Sequence, residues 1–261
     1  ALKKVLASSE TVFSPEIVRY KTLEDGDSLA LHIFKPRNMQ AGEKRPAIVY
    51  FFGGGWKLGT PIQFYRECAY YASKGMVAVS VDYRIGYLHH STPFESFEDA
   101  KDAICWLRSH ASDYQLDPDK IAVAGGSAGG HLAAALGTIG SDEAVNYRPN
   151  LSVLYYPVID MVSRGYGFPE IKRDFEKISP IHHVSEATPS TLILLGTKDP
   201  IVSVETIEAY QDKLLQKGVD CELHLFEGAG HPIFLYRKPL TEEYYKVRKL
   251  TDDFLKRQGF L

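Results

Sequence analysis

The residues best suited to do chemistry are a serine set among glycines, an aspartate behind a Gly-Thr-Lys run and a histidine between glycine and proline. Ser127 stands in Gly125-Gly126-Ser127-Ala128-Gly129, between a run that reads as a strand and one that reads as a helix. That is the setting of a nucleophile elbow, GxSxG. Glycine at 125 and 129 keeps Cβ atoms out of a tight turn. Gly130, Ala133, Ala134 and Ala135 let the following helix approach the sheet, and its N-terminus turns partial positive charge toward the serine.

A serine hydroxyl needs a base to become a nucleophile. Of nine histidines, His231 in Gly228-Ala229-Gly230-His231-Pro232 follows the last expected strand, in a loop free to swing over the elbow. His131 and His224 fall inside regular elements and read as packed residues. The pairs His89-His90 and His182-His183 lack the i, i+4 spacing of a metal site and read as loop surface or pocket lining. The base in turn needs an acid to fix its tautomer. Asp199 ends the strand before the one leading to His231, whereas its competitor Asp160 lies one strand nearer the serine. Asp199 is preferred, which gives the chain order Ser127, Asp199, His231.

Phe51-Phe52-Gly53-Gly54-Gly55-Trp56 follows a continuous apolar run. Glycines there let backbone N–H groups approach a developing oxyanion. The expected donors are Gly53, Gly54 and Ala128, with Phe52 and Trp56 lining the substrate. A phosphate cradle fails for want of a Lys-Ser/Thr pair at P-loop spacing. The chemistry calls for no metal and no cofactor.

These loops need a frame, and the hydropathy pattern supplies one. Ile17 to Lys35 reads as a hairpin about Glu24-Asp25-Gly26-Asp27. Further strands are expected at 47–52, 77–81, 121–124, 151–158, 191–195 and 221–226. Helices are expected at 61–73, 94–111, 126–136, 204–217 and 239–257. In the second of these, Phe97, Ala100, Ile104 and Leu107 form one stripe, and Asp117-Pro118-Asp119 reads as a turn after it. Alternation of this kind predicts an α/β fold: a mostly parallel central sheet with an antiparallel N-terminal hairpin and helices on both faces. One domain, 1–261, accounts for the whole chain. In such sheets ligands bind beyond the carboxyl ends of the strands, where all four loops fall.

Composition narrows the function classes. Lys plus Arg is 30 and Asp plus Glu 33 in 261 residues, a formal net charge of −3. This balance lacks the footprint of a nucleic-acid binder. No apolar run approaches the length of a membrane span, so no membrane partner is expected. Cys68, Cys105 and Cys221 cannot all pair and read as reduced thiols. The sequence begins at Ala1 without Met or an apolar leader. It reads as a soluble chain, either cytoplasmic or, after removal of a signal peptide, secreted or periplasmic. A monomer and a homodimer both stay open.

The chain resembles the α/β-hydrolase superfamily, and within it the hormone-sensitive-lipase-like esterases and bacterial acetyl esterases, including the acetyl-xylan-esterase-like branch. The likeness runs from about residue 45 to 235. It rests on the glycines at 53–55, Val81-Asp82-Tyr83-Arg84, Phe97-Glu98-Asp99-Ala100 and Trp106-Leu107-Arg108. It continues through Asp117-Pro118-Asp119-Lys120-Ile121, Gly126 to Leu132, Gly196-Thr197-Lys198-Asp199 and Gly230-His231-Pro232. Phe52 stands where that family usually has histidine, and Gly126 where many members have aspartate. The resemblance implies a serine carboxylesterase acting on small esters through an acyl-enzyme, with acetylated carbohydrate as one candidate substrate. A kynurenine-formamidase-like amidase and a non-catalytic small-molecule receptor are the alternatives. The family's lid is reduced here to a small cap at about 161–188, with Tyr166, Phe168 and Phe175 as expected pocket lining. A small cap implies short acyl groups.

Overall fold

The structure is a computed structural model that describes residues 14–37, 39–140, 147–161, 171, 174–236 and 240–261. Its frame is an eight-stranded sheet. The strands are β1 (Glu16–Thr22), β2 (Ser28–Phe34), β3 (Arg45–Phe51), β4 (Val77–Val81), β5 (Leu116–Gly126), β6 (Leu151–Tyr155), β7 (Ser190–Gly196) and β8 (Cys221–Phe226). They lie in the order β1-β2-β4-β3-β5-β6-β7-β8. β2 is antiparallel to both β1 and β4, and every other pairing is parallel. Successive residues of β4 and β6 are all buried. Because neighbours along a strand point to opposite faces, both faces at the centre of the sheet must be covered.

The helices that cover it are α1 (Tyr65–Ser73), entered through a 3₁₀ turn at Pro61–Phe64, α2 (Gly86–His89) and α3 (Pro93–Ser109). They continue as α4 (Ala128–Thr138), α5 (Phe175–Ile178), α6 (Val204–Gln216) and α7 (Glu242–Arg257). α3 starts where a capping box sets it: Thr92 accepts from the Phe94 N–H, and the Thr92 N–H donates to Glu95 at 2.7 Å. Ser203 and Thr241 cap α6 and α7 with side chains that accept from the Thr206 and Tyr244 N–H groups.

Two of the boundaries that differ have a clear physical cause. The Asp117-Pro118-Asp119 turn lies inside β5, whose register with β3 jumps from Arg45 opposite Leu116 to Ala47 opposite Ile121. The extra residues bulge out of the ladder, which is how a strand accommodates a proline. β6 stops at Tyr155 rather than 158, because Tyr156 takes a left-handed conformation, φ 39°, immediately before Pro157.

Two motifs of the family resemblance meet in space. Asp99, on α3, has no exposed side-chain surface. It accepts from the Arg84 backbone N–H at 2.9 Å and from the guanidinium at 2.8 Å, while Lys21 of β1 reaches it at 2.5 Å. The hairpin, the exit of β4 and α3 are thereby tied at one carboxylate, so Val81-Asp82-Tyr83-Arg84 and Phe97-Glu98-Asp99-Ala100 work as a single clamp.

Candidate active site

Ser127 sits between β5 and α4 with φ 56° and ψ −119°, a backbone state that L-residues rarely adopt. The neighbouring chain enforces it. A Cβ on Gly125 would overlap the Gly129 carbonyl, and one on Gly129 would overlap the Phe51 carbonyl. The Ser127 N–H donates to the Tyr155 carbonyl at 3.0 Å, and its carbonyl accepts from the His131 N–H at 2.9 Å.

The elbow delivers the hydroxyl to His231, whose Nε2 lies 2.9 Å from Ser127 Oγ. Nδ1 of the same ring lies 2.6 Å from Asp199 Oδ2. A carboxylate accepts only, so Nδ1 carries the proton, leaving Nε2 to accept from the serine. The other Asp199 oxygen accepts from the N–H groups of Ile201, at 2.8 Å, and Val202, at 2.9 Å. Burial alone would push this carboxyl up. The bonds from His231, Val202 and Ile201 outweigh it and hold Asp199 below the usual carboxylate range. Asp160 is elsewhere, facing His182 at 3.7 Å.

The His231 loop is stitched down rather than free to swing. Lys198 N–H donates to the Ala229 carbonyl at 2.9 Å and Gly228 N–H to Thr197 Oγ1 at 2.8 Å. The Tyr156 ring packs edge-on against the imidazole with centroids 4.8 Å apart. A cleft of about 370 Å³ opens beside His231, with Pro232, Ile233 and Leu235 in its wall.

The glycine loop after β3 corrects one expected donor. The Gly53 N–H already donates to Gln63 Oε1 at 2.6 Å, so it cannot also serve an oxyanion. The N–H groups of Gly54, Gly55 and Ala128 meet no acceptor among the described residues. Gly54 and Gly55 have φ 147° and 62°, open to glycine and strained for other residues. The loop lies directly on the elbow, since a Cβ on Gly53 would come within 2.8 Å of the Gly126 carbonyl and 3.3 Å of Ser127 Cβ.

Two expected lining residues face inward instead. Phe52 is 0% exposed and stacks on Tyr83, centroids 4.1 Å apart. Tyr83 also donates its hydroxyl to the Phe52 carbonyl at 2.6 Å. Trp56, 1% exposed, donates from Nε1 to His131 Nδ1 at 3.3 Å, and His131 Nε2 donates to the Ile178 carbonyl of α5 at 2.7 Å. Both rings are drawn under the loop because each finds a buried partner there. Burial lowers the His131 pKa to about 4, and the neutral ring ties glycine loop, α4 and α5 together. Tyr166 and Phe168 lie outside the described residues, as does most of 161–173, while Phe175 is half-buried.

Gln63, Gly55 and Tyr156 were not singled out in the sequence. Nothing marks Gln63, ten positions from the glycine it holds. The Tyr-Pro step after β6 was the available hint for Tyr156. Among the described residues no cluster of three or more His, Cys, Asp or Glu side chains could hold a metal. None of the described helices is long and apolar enough to cross a membrane.

With this geometry in place, the BD-FAE family profile matches residues 31–163, from β2 past the elbow to the end of β6 and beyond. The chain belongs to the BD-FAE family. Among solved structures it is similar to the thermophilic esterase Est2 of Thermogutta terrifontis in its propionate-bound form. That match has 37% identity and a TM-score of 0.88 and covers 95% of each chain. Among curated proteins it resembles Esterase LipC of Mycobacterium tuberculosis, with 28% identity over 79% of this chain and 57% of that one. It also resembles the acetylxylan esterase of Xylanibacter ruminicola, with 26% identity over 80% of this chain and 44% of the relative. The chain thus spans about half the length of these curated relatives, and its α/β-hydrolase fold is that of an esterase.

Proposed function

We propose that this BD-FAE member is a serine carboxylesterase that hydrolyses short-chain acyl esters within one α/β-hydrolase domain. The observation that carries the reading is the hydrogen-bonded line Asp199–His231–Ser127, at 2.6 and 2.9 Å. His231 Nε2 takes the hydroxyl proton as Ser127 Oγ attacks the ester carbonyl. The negative charge that develops on the carbonyl oxygen is received by the Gly54, Gly55 and Ala128 N–H groups. The imidazolium, stabilised by Asp199, returns its proton to the departing alcohol, leaving an acyl-serine. Water, deprotonated by the same imidazole, then attacks that ester and releases the acid and the free serine.

Relatives support the substrate size. The Thermogutta esterase has been captured with propionate and with butyrate, and phosphorylated by paraoxon. The likeness to an acetylxylan esterase supports acetylated carbohydrate among the natural substrates. p-Nitrophenyl esters of rising acyl length test the reading. The expected kcat/KM peaks between acetyl and butyryl and falls steeply by octanoyl, as overpacking overtakes the gain from each added methylene. Faster turnover of decanoyl than acetyl esters, below the micelle concentration, would replace a short-chain esterase with a lipase-like enzyme.

A further inference from the structure

An N–H group waiting for an oxyanion has no partner of its own to aim it. Acyl transfer nevertheless needs such donors fixed in place before the charge develops. Three glycines in a row are the backbone least suited to holding still. Phe52, the side chain that enters the loop, carries no hydrogen-bonding group and is stacked on Tyr83. The polar support of the loop therefore comes from outside it.

A peptide unit is planar and trans, so a carbonyl held in one direction fixes the N–H on its opposite side. The unit joining Phe52 to Gly53 is gripped at both ends. Tyr83 Oη donates to the Phe52 carbonyl at 2.6 Å, and the Gly53 N–H donates to Gln63 Oε1 at 2.6 Å. The next unit has its carbonyl on Gly53 and its N–H on Gly54. That carbonyl accepts from Gln63 Nε2 at 3.5 Å, while the Gly54 N–H stays open. The third unit has its carbonyl on Gly54, accepting from the Lys57 and Leu58 N–H groups at 3.1 and 3.2 Å, and its open N–H on Gly55. A backbone turn thus aims Gly55, and one side chain aims Gly54.

A primary amide suits that task, because it carries an acceptor and a donor on one rigid plane. Gln63 spends both on Gly53. It is itself anchored, in the 3₁₀ turn Pro61–Phe64, where its N–H donates to the Thr60 carbonyl at 3.1 Å. Phe64 of that turn is buried and stacks on Tyr50 of β3, centroids 4.8 Å apart. Ser80, fully buried, donates Oγ to the Pro61 carbonyl at 2.7 Å. It is the polar exception in β4, Val77-Ala78-Val79-Ser80-Val81, and its hydroxyl ties the turn to the sheet.

We propose that Gln63 is a positioning residue for the oxyanion donors: it sets the direction of the Gly54 N–H, and Ser80 holds the turn that presents it. The inference rests on the esterase reading above. Without the clasp the 53–54 peptide rotates as glycine allows, and the oxyanion loses a donor that the uncharged substrate does not need.

The test compares two inhibitors of the same length. Ser127 Oγ adds to the carbonyl carbon of 1,1,1-trifluoropentan-2-one, its proton passes to His231, and the carbonyl π pair becomes an oxyanion in the loop. Pentan-2-one binds without adding. Gln63→Met keeps the length of the side chain and removes both hydrogen bonds. In it Ki for the trifluoroketone is expected to rise about tenfold, and kcat/KM for p-nitrophenyl acetate to fall in step, with Ki for pentan-2-one within twofold. Ser80→Ala should shift the ratio of the two Ki values severalfold in the same direction. Gln63 is half-buried, so this exchange does not threaten folding, and a role in folding alone would not separate the two ketones. If the parent hydrolyses the ester and the ratio in Gln63→Met is unchanged or falls, the positioning role is wrong while the esterase reading stands. If the parent neither hydrolyses the ester nor prefers the trifluoroketone, both are overturned.

Discussion

Two carboxylates withdrawn from solvent, Asp199 beside His231 and Glu67 between α1 and α7, are shifted in opposite directions. Glu67 accepts from the Tyr244 hydroxyl and lies 3.5 Å from Arg248, in a cluster that also joins Tyr70 to Asp252. Tyr244, Arg248 and Asp252 recur at every fourth residue of α7, so one helix face carries the whole contact. Burial dominates there and raises the Glu67 pKa despite the tyrosine and arginine. At Asp199 burial pushes the same way, but His231 and two backbone N–H groups reverse it. Burial alone does not set the direction of a carboxyl's shift. The number and aim of its donors do, and the donors at Asp199 are fixed by a turn that exists only at the end of β7.

The comparison can be broken by experiment, and the largest effect is expected at Asp199. If its charge holds the proper tautomer of His231, Asp199→Asn lowers kcat by about four orders of magnitude while the protein stays folded. Glu67→Gln should then leave kcat within about twofold. A loss at Glu67 comparable to that at Asp199 would end the distinction. Next in size is Tyr244→Phe, which removes the donor from the buried Glu67 carboxyl. It is expected to cost about 1–3 kcal/mol in denaturant unfolding, with esterase kinetics untouched.

The pH dependence of stability should separate the two groups by sign. The folded pKa of Asp199 is depressed, so its contribution is present above the unfolded value and is lost as pH falls through the folded one. The folded pKa of Glu67 is raised, so its contribution is present below the unfolded value and is lost as pH rises through the folded one. Unfolding midpoints measured from pH 3 to 7 should show the parent gaining on Asp199→Asn and losing to Glu67→Gln as pH rises. Parallel curves would mean that both carboxyls respond to burial alone. The smallest effect is expected at Asp160. Asp160→Asn, whose carboxyl faces His182 instead of His231, should keep at least a third of the parental kcat.

What could be read from the sequence follows the range of the forces involved. The strand at 77–81 occurs where its apolar run places it, because continuous burial leaves its mark residue by residue. Gly125 was readable for a similar reason: the clash it avoids is with Gly129, four residues on, whereas the clash at Gly129 is with the distant Phe51. The donor set of the glycine loop was not readable. Whether Gly53 or Gly55 keeps a bare N–H depends on Gln63, and no local pattern encodes that side chain's reach. Phe52 and Trp56 misled because an aromatic beside a reactive loop has two destinations, the ligand or the core. Tyr83 and His131 supplied the second.

The left-handed backbone at Ser127 has a consequence for how such an enzyme can be improved. A residue forced to φ 56° stores strain that glycine, which populates that region freely, would release. Three neighbouring N–H groups without acceptors add to the tension of the same few residues. Screens that reward heat resistance without measuring turnover will therefore drift toward quieting this corner, and Ser127→Gly is the shortest step in that direction. Resistance and catalysis compete for the same atoms here. An engineered sturdier variant should draw its gains from the far side of the sheet, where α1 meets α7, and leave the elbow under tension.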